Sequence, residues 1–233
     1  MKKGDETRKE ILRVSEELFC TRGYDETSIQ NILDVIHGSK GGFYHHFTSK
    51  EDVLRIICVR RAAASAEQTV KALESLKDPL ARLNTVLCRM MPLYRQDWVF
   101  MAMLLPILDR LESTAVRVGY QDALLEAYLP LLRREAEACA ASEIIRPVAE
   151  QPEKPVLTLL NACWAEAAQL LLRDMKTGSR TETGILLELL SGYRRCVEAL
   201  LDAPFGSIEL MRLEDWQSFA AEMHRSARTQ NPV

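Results

Sequence analysis

The run Ser39-Lys40-Gly41-Gly42-Phe43-Tyr44-His45-His46-Phe47 gathers an ammonium, two hydroxyls, two imidazoles and two positions without side chains. Those groups suit an anionic, edge-rich partner. Lys40 can approach guanine acceptors or a phosphate. Tyr44 offers a hydroxyl to a phosphate and a ring face to a thymine methyl, and His45 can donate to a phosphate. Gly41 and Gly42 each cost roughly 1 kcal/mol against alanine inside a helix, so the pair needs a reason, and close approach of backbone to a groove supplies one. Lys50, in the first turn of the next helix, would add its ammonium to backbone N–H groups that already favour an anion. Thr27 and Ser28, at the entry to the preceding helix, complete the candidate set. Each feature has a blander alternative: a Gly-Gly pair is more often a frayed turn, and Lys50 alone is a solvated lysine. Adjacent histidines point apart on a helix, so His45 and His46 do not form a metal pair, and His46 is expected near the core. Their combination at this spacing is what favours duplex DNA.

These groups need short helices to position them. Thr27 can cap a helix with Gln30 as the other half of a capping box, and Ile29, Ile32 and Leu33 then share one face. Ser39 caps the next helix, with Phe43 and Phe47 four apart and turned inward. Thr48 with Glu51, or Ser49 with Asp52, caps a third; the sequence does not choose between them. Upstream, Ile11, Val14, Leu18 and Phe19 form a stripe on a helix ending near Arg22-Gly23, where Gly23 can take the left-handed conformation. The pattern predicts a helix-turn-helix over about residues 28–47.

In these motifs the chain resembles the DNA-binding head of the TetR family of bacterial transcription regulators. The resemblance rests on Thr7-Arg8, Ile11-Leu12, Leu18-Phe19, Gly23-Tyr24, Thr27-Ser28-Ile29 and Ile32. It continues through Ser39-Lys40-Gly41, Phe43-Tyr44, His46-Phe47 and Ser49-Lys50-Glu51 with Leu54. It covers about the first quarter of the chain. The family usually reads Ala-Gly-Val through the turn, where this chain has Ile36-His37-Gly38, so His37 falls where a left-handed residue is expected. The resemblance implies an all-α protein: a three-helix head over residues 5–65, joined by a long helix to a ligand-binding and dimerisation body over 66–233.

Composition narrows the function classes. The 233 residues are 47% hydrophobic and carry a net charge of −3, so no global field draws the chain to nucleic acid. Residues 1–50 hold eight Lys/Arg against eight Asp/Glu, yet between His37 and Lys50 no acid occurs. A DNA contact there would act through a local patch. Six cysteines at 20, 58, 88, 139, 163 and 196 have neither zinc nor CxxC spacing and read as reduced core thiols. The polar residues 1–14 carry no secretory pattern. The apolar run Trp98 to Leu108 is far short of the ~20 residues of a membrane span. A cytoplasmic protein without cofactor or metal is expected.

Beyond the head the chain reads as helices over Lys50–Leu76, Pro79–Arg95, Asp97–Leu111, Ser113–Ala141, Val156–Met175, Thr183–Leu201 and Ile208–His224, then a mobile polar tail from Ser226. The helices over about 156–175 and 183–201 are broadly apolar. Either they pack as an internal hairpin or, as the resemblance implies, they pair across a two-fold axis in a homodimer. Met90 to Met103 is rich in methionine and aromatic residues. It is either ordinary core or the wall of a ligand pocket, with Tyr94, Trp98, Met101, Tyr120, Tyr128 and Trp164 as candidates. No nucleophile–base or metal set suggests an enzyme. The expected function is a dimeric, ligand-responsive transcription regulator, a repressor released from a palindromic operator by a small apolar effector. The alternative is a helical small-molecule carrier without a DNA function.

Overall fold

The computed structural model describes residues 3–230. Among the described residues, ten α-helices and one 3-10 turn make up the regular structure: α1 Lys3–Arg22, α2 Ile29–Ile36, α3 Lys40–His46, α4 Lys50–Leu73, α5 Pro79–Arg89, the 3-10 turn Arg95–Asp97, α6 Trp98–Leu108, α7 Thr114–Ala141, α8 Glu153–Thr177, α9 Thr183–Leu201 and α10 Leu213–Gln230. The all-α expectation holds. Two compact units divide the chain: Met1–Arg61 with Val99–Tyr120, and Ala62–Trp98 with Gln121–Val233.

In the first unit α1, α2, α3 and the start of α4 share an interior of Ile11, Leu12, Phe19, Ile32, Phe43, Phe47, Leu54 and Ile57, all fully or almost fully buried. The caps differ in detail from the sequence reading. Ser28, not Thr27, caps α2: its hydroxyl accepts from Asn31 N at 3.1 Å, and Asn31 Oδ1 accepts from Ser28 N at 2.9 Å. Asparagine thus fills the box position one residue after Gln30. At α4 the open choice resolves to Ser49 with Asp52, since Ser49 Oγ accepts from Asp52 N and Asp52 Oδ2 accepts from Thr48 N.

The second unit shows how proline sets helix ends. The expected helix to Arg95 stops at Arg89, where the Met90 N–H still reaches Val86 O. Pro92 has no N–H to continue the ladder and disfavours helical geometry at Met91 before it. Pro155 lies in the first turn of α8, where an N–H has no intrahelical partner, so α8 begins at Glu153 rather than Val156. The last helix starts later than expected, at Leu213, and continues through Ser226 to Gln230, so most of the expected tail is helical. Residues 231–233 of that tail lie outside the described residues. By length and apolarity α8 could cross a membrane, yet 56% of its most apolar stretch is buried inside the protein, as in a core helix.

A buried carboxylate braces this unit. Glu135 on α7 is 1% exposed and accepts from Arg82 Nε at 2.7 Å and Nη2 at 2.8 Å; Arg134 adds a third charge-assisted bond at 2.8 Å. Arg82 also donates to Leu73 O and Leu76 O, closing the α4–α5 turn. Burial pushes the Glu135 carboxyl up, but the hydrogen bonds from Arg82 and Arg134 outweigh it and hold it below the usual glutamate value. A depressed carboxylate stabilises the fold above its unfolded value and loses that contribution as pH falls through the folded one. Glu135→Gln is expected to cost about 3 kcal/mol at neutral pH. In thermal melts the wild-type advantage over the variant should shrink as pH drops below about 4; a pH-independent difference would contradict the role given to the ionised form.

Candidate nucleic-acid interface

Helix α3 is capped at both ends. Ser39 takes an extended conformation and its hydroxyl accepts from Gly42 N at 3.1 Å, while the Phe47 N–H returns to Phe43 O. Phe43 and Phe47 are 0% and 1% exposed, with ring centroids 5.6 Å apart. Helical geometry then turns Ser39, Lys40, Gly41, Tyr44 and His45 outward; all five are exposed, Tyr44 by 57%. His46 is half-buried, its ring 6.3 Å from that of Phe47.

The two glycines differ. A Cβ on Gly42 would lie 3.3 Å from Ser39 Oγ, so the cap itself favours a small residue there. A Cβ on Gly41 would meet nothing within 4 Å. No packing contact among the described residues explains that glycine.

The turn before α3 accounts for the displaced glycine. His37 adopts φ 49°, ψ 40°, the left-handed region that Asn, Asp and His tolerate best among residues with a side chain. Gly38 follows with its N–H on Leu33 O at 2.9 Å. A Cβ there would approach Ile36 Cδ1, Ile36 Cγ1 and Leu33 Cδ2 to 3.0 Å. Close packing favours glycine at 38, and histidine carries the backbone reversal at 37.

Two candidate contact residues have other work. Thr27 is fully buried, and its hydroxyl lies 2.7 Å from Gly23 O and 3.3 Å from Leu18 O. It fastens the end of α1 and cannot reach a partner. Lys50 is half-buried and donates to Tyr24 O at 2.7 Å and Thr27 O at 2.9 Å, with its ammonium 4.2 Å from the Tyr24 ring centroid. Burial lowers its pKa, an effect that Asp25 partly opposes. Lys50 is a positioning residue that clamps the α1–α2 connection. Ser28 is exposed, but its hydroxyl also serves the cap, donating to Asn31 Oδ1 at 2.8 Å.

The same connection carries a contact that the sequence did not signal. Asp25 accepts from Arg110, in the α6–α7 connection, at 2.5 and 2.8 Å. The partners stand 85 residues apart and both lie in the first unit.

The six candidate ligand-pocket residues are divided between the two units. Met101 and Tyr120 are buried in the first unit, and the other four belong to the second. Tyr94 lines a cavity of about 580 Å³ whose lining is mixed, with Leu76, Leu80 and Ala81 beside Asp78, Arg89 and Glu209. Trp98 donates to Leu93 O, and Trp98 and Trp164 both pack on Phe219, at 6.5 and 5.9 Å between centroids. The Tyr128 hydroxyl is bonded to Ser65, Thr69 and Arg89 O, a satisfied core group. Methionine and aromatic side chains fill the core here. Among the described residues no cluster of His, Cys, Asp and Glu could hold a metal ion.

The clamp separates two lysines that look alike in the sequence. Lys50→Met leaves two carbonyls without their donor and is expected to lower stability by about 2 kcal/mol. Lys40→Ala, at an exposed and unpaired position, should change it by no more than about 0.5 kcal/mol. Urea titrations of both variants provide the check; equal midpoints would remove the clamp.

Comparison with known proteins agrees with this geometry. Residues 11–57 match the family model described as bacterial regulatory proteins, tetR family. The HTH-type transcriptional repressor AcnR of Corynebacterium diphtheriae is 28% identical over 123 residues, 46% of this chain and 65% of that protein. An HTH-type transcriptional regulator of Lactococcus lactis is 30% identical over 95 residues, 40% of this chain and 44% of that one. The chain therefore spans about two thirds or less of the length of these curated relatives. Among solved structures, a TetR-family transcriptional regulator of Pectobacterium atrosepticum aligns with a TM-score of 0.56 at 20% identity, over 88% of this chain and all of that one. A regulator of Syntrophomonas wolfei aligns with a TM-score of 0.55 at 22% identity, over 84% and 97%. At such identities the structural likeness speaks for the fold alone, whereas the match over the head is one of sequence. Residues 11–57 are thus similar to the head of the bacterial regulatory proteins of the tetR family.

Proposed function

We propose that the protein is a cytoplasmic, dimeric transcription regulator that represses by binding duplex DNA and lets go when a small molecule binds. The supporting observation is the outer side of α3: an acid-free arc of Ser39, Lys40, Gly41, Tyr44 and His45, with one glycine that internal packing does not require. In this reading the head over residues 5–65 lays α3 in a major groove, and Gly41 lets its backbone approach the duplex. The Ser28 end of α2 abuts the phosphates. Lys50 holds the α1–α2 connection from within instead of touching DNA.

Features of the body over 66–233 support pairing of two chains. Ile185 and Leu187 on α9 are 46% and 47% exposed, and Gly184 and Gly192 have open space where a Cβ would be. An apolar helix with unexplained glycines suits close packing against a second copy, with α8 and α9 of each chain forming a four-helix bundle. Two heads would then read the half-sites of a palindromic operator about 34–36 Å apart, or a multiple of that. An effector releases the operator only if it prefers the conformation with misplaced heads.

Selection of bound sequences from random duplexes, followed by mobility-shift titration, tests this reading. Lys40→Ala should weaken binding at least about tenfold and lower the salt slope by about one. Gly41→Ala should stabilise the protein by up to about 1 kcal/mol, as alanine does inside a helix, while weakening DNA binding. Retention of full affinity by both variants would remove α3 from the interface.

A further inference from the structure

We infer that a cavity walled by α8, α9 and α10 binds a small amphipathic monoanion, an apolar chain ending in a carboxylate. The cavity has a volume of about 440 Å³ and lies wholly within the second unit. That is within the size range of small-molecule sites. It shares no lining residue with the Tyr94 cavity.

Its lining is mixed in chemistry. Leu170, Leu171, Leu186, Trp216 and Ala220 supply apolar surface. Arg180, Thr183 and His224 add polar groups to the same lining. The Arg180 guanidinium is exposed and has no hydrogen-bond or ion-pair partner among the described residues. Arg225, also in the lining, is held by Glu222 at 2.5 Å and contributes little net charge.

The acid in this lining is committed elsewhere. Asp174 is 5% exposed, and its carboxylate accepts from Thr181 N at 2.5 Å and from Ser179 Oγ at 3.1 Å. Burial pushes its carboxyl up, but the hydrogen bonds from Thr181 and Ser179 prevail and keep it below the usual aspartate value. Asp174 thereby fixes the loop that carries Arg180 and has little capacity left to pair with it. The first turn of α9, which begins at Thr183, has no side-chain cap either. A cavity lined by an unpaired fork donor together with leucine and tryptophan side chains is complementary to a carboxylate on a hydrocarbon chain. A neutral alcohol of equal length would satisfy the wall and leave the guanidinium without an anion.

Isothermal titration of the full chain with decanoate, without DNA, is the test, so failure here is separable from failure of the regulator reading. Saturable binding of decanoate is expected, with decanol at least about tenfold weaker because only the charged head makes a charge-assisted bond. Arg180→Gln, a surface change that leaves packing alone, should bring decanoate down to the level of decanol. Ala220→Phe, which fills the wall, should abolish binding while circular dichroism confirms the helices. Decanoate binding that is absent, equal to that of decanol, or unchanged in both variants would overturn the assignment.

Discussion

A helix of seven residues does not persist alone in water, because the cost of nucleating its first turn is not recovered over so short a length. Helix α3 has that length, and the proposed interface depends on how it is held. Two aromatic rings under it, a serine cap before it and a reversal into extended backbone at Phe47 supply what its own hydrogen bonds do not. Phe43 and Phe47 lie four apart, so burying both fixes the rotation of the helix about its axis. Once that rotation is set, Lys40, Gly41, Tyr44 and His45 face outward. The orientation of the exposed arc is a consequence of the buried one.

The same logic sorts the small residues of the head. Gly38 answers to packing against Ile36 and Leu33, and Gly42 to the serine cap. Gly41 answers to no packing contact among the described residues, so its conformational cost goes uncompensated in the free protein. A position that breaks a local rule without an internal reason is where a function outside the chain is to be sought. Lys50 is the opposite case: charged and at the start of a helix, it resembles a phosphate contact, yet the molecule uses it as internal bracing.

Legibility in the sequence followed the range of the interaction. The helices of the head, the inward Phe43 and Phe47 and the start of α9 at Thr183 depend on residues within a turn or two, and periodicity and capping patterns revealed most of them, while the left-handed His37 was legible only through the family resemblance. The choice between Thr27 and Ser28 was not legible, since both are hydroxyl residues at adjacent positions. Only the fold shows that Thr27 points back to Leu18 and Gly23. Lys50 misled for a related reason, because its partners are carbonyls 23 and 26 residues away. The Asp25–Arg110 pair spans 85 residues and leaves no local mark. In the body, methionine and aromatic side chains suggested a pocket wall, but residues of that kind fill cores as readily as they line cavities. The cavity carrying Arg180 instead draws on residues from Leu170 to Arg225, ordinary helix and loop positions that no motif singles out.

Acids are placed as selectively as the exposed cations. Four carboxylates are buried to 5% exposure or less, Glu135, Glu153, Asp174 and Glu198, and each fastens a connection between helices. Glu135 holds Arg82, which closes the turn from α4 to α5. Glu153, at the start of α8, accepts from Arg133 on α7. Asp174 secures the loop into α9, and Glu198 receives Gly206 N in the loop after it. A charge is tolerated in such places only with partners that replace water, and backbone N–H groups and guanidinium forks do so here. A duplex approaching α3 would meet an acid-free arc carrying Lys40, so attraction there would act locally and not through the net charge.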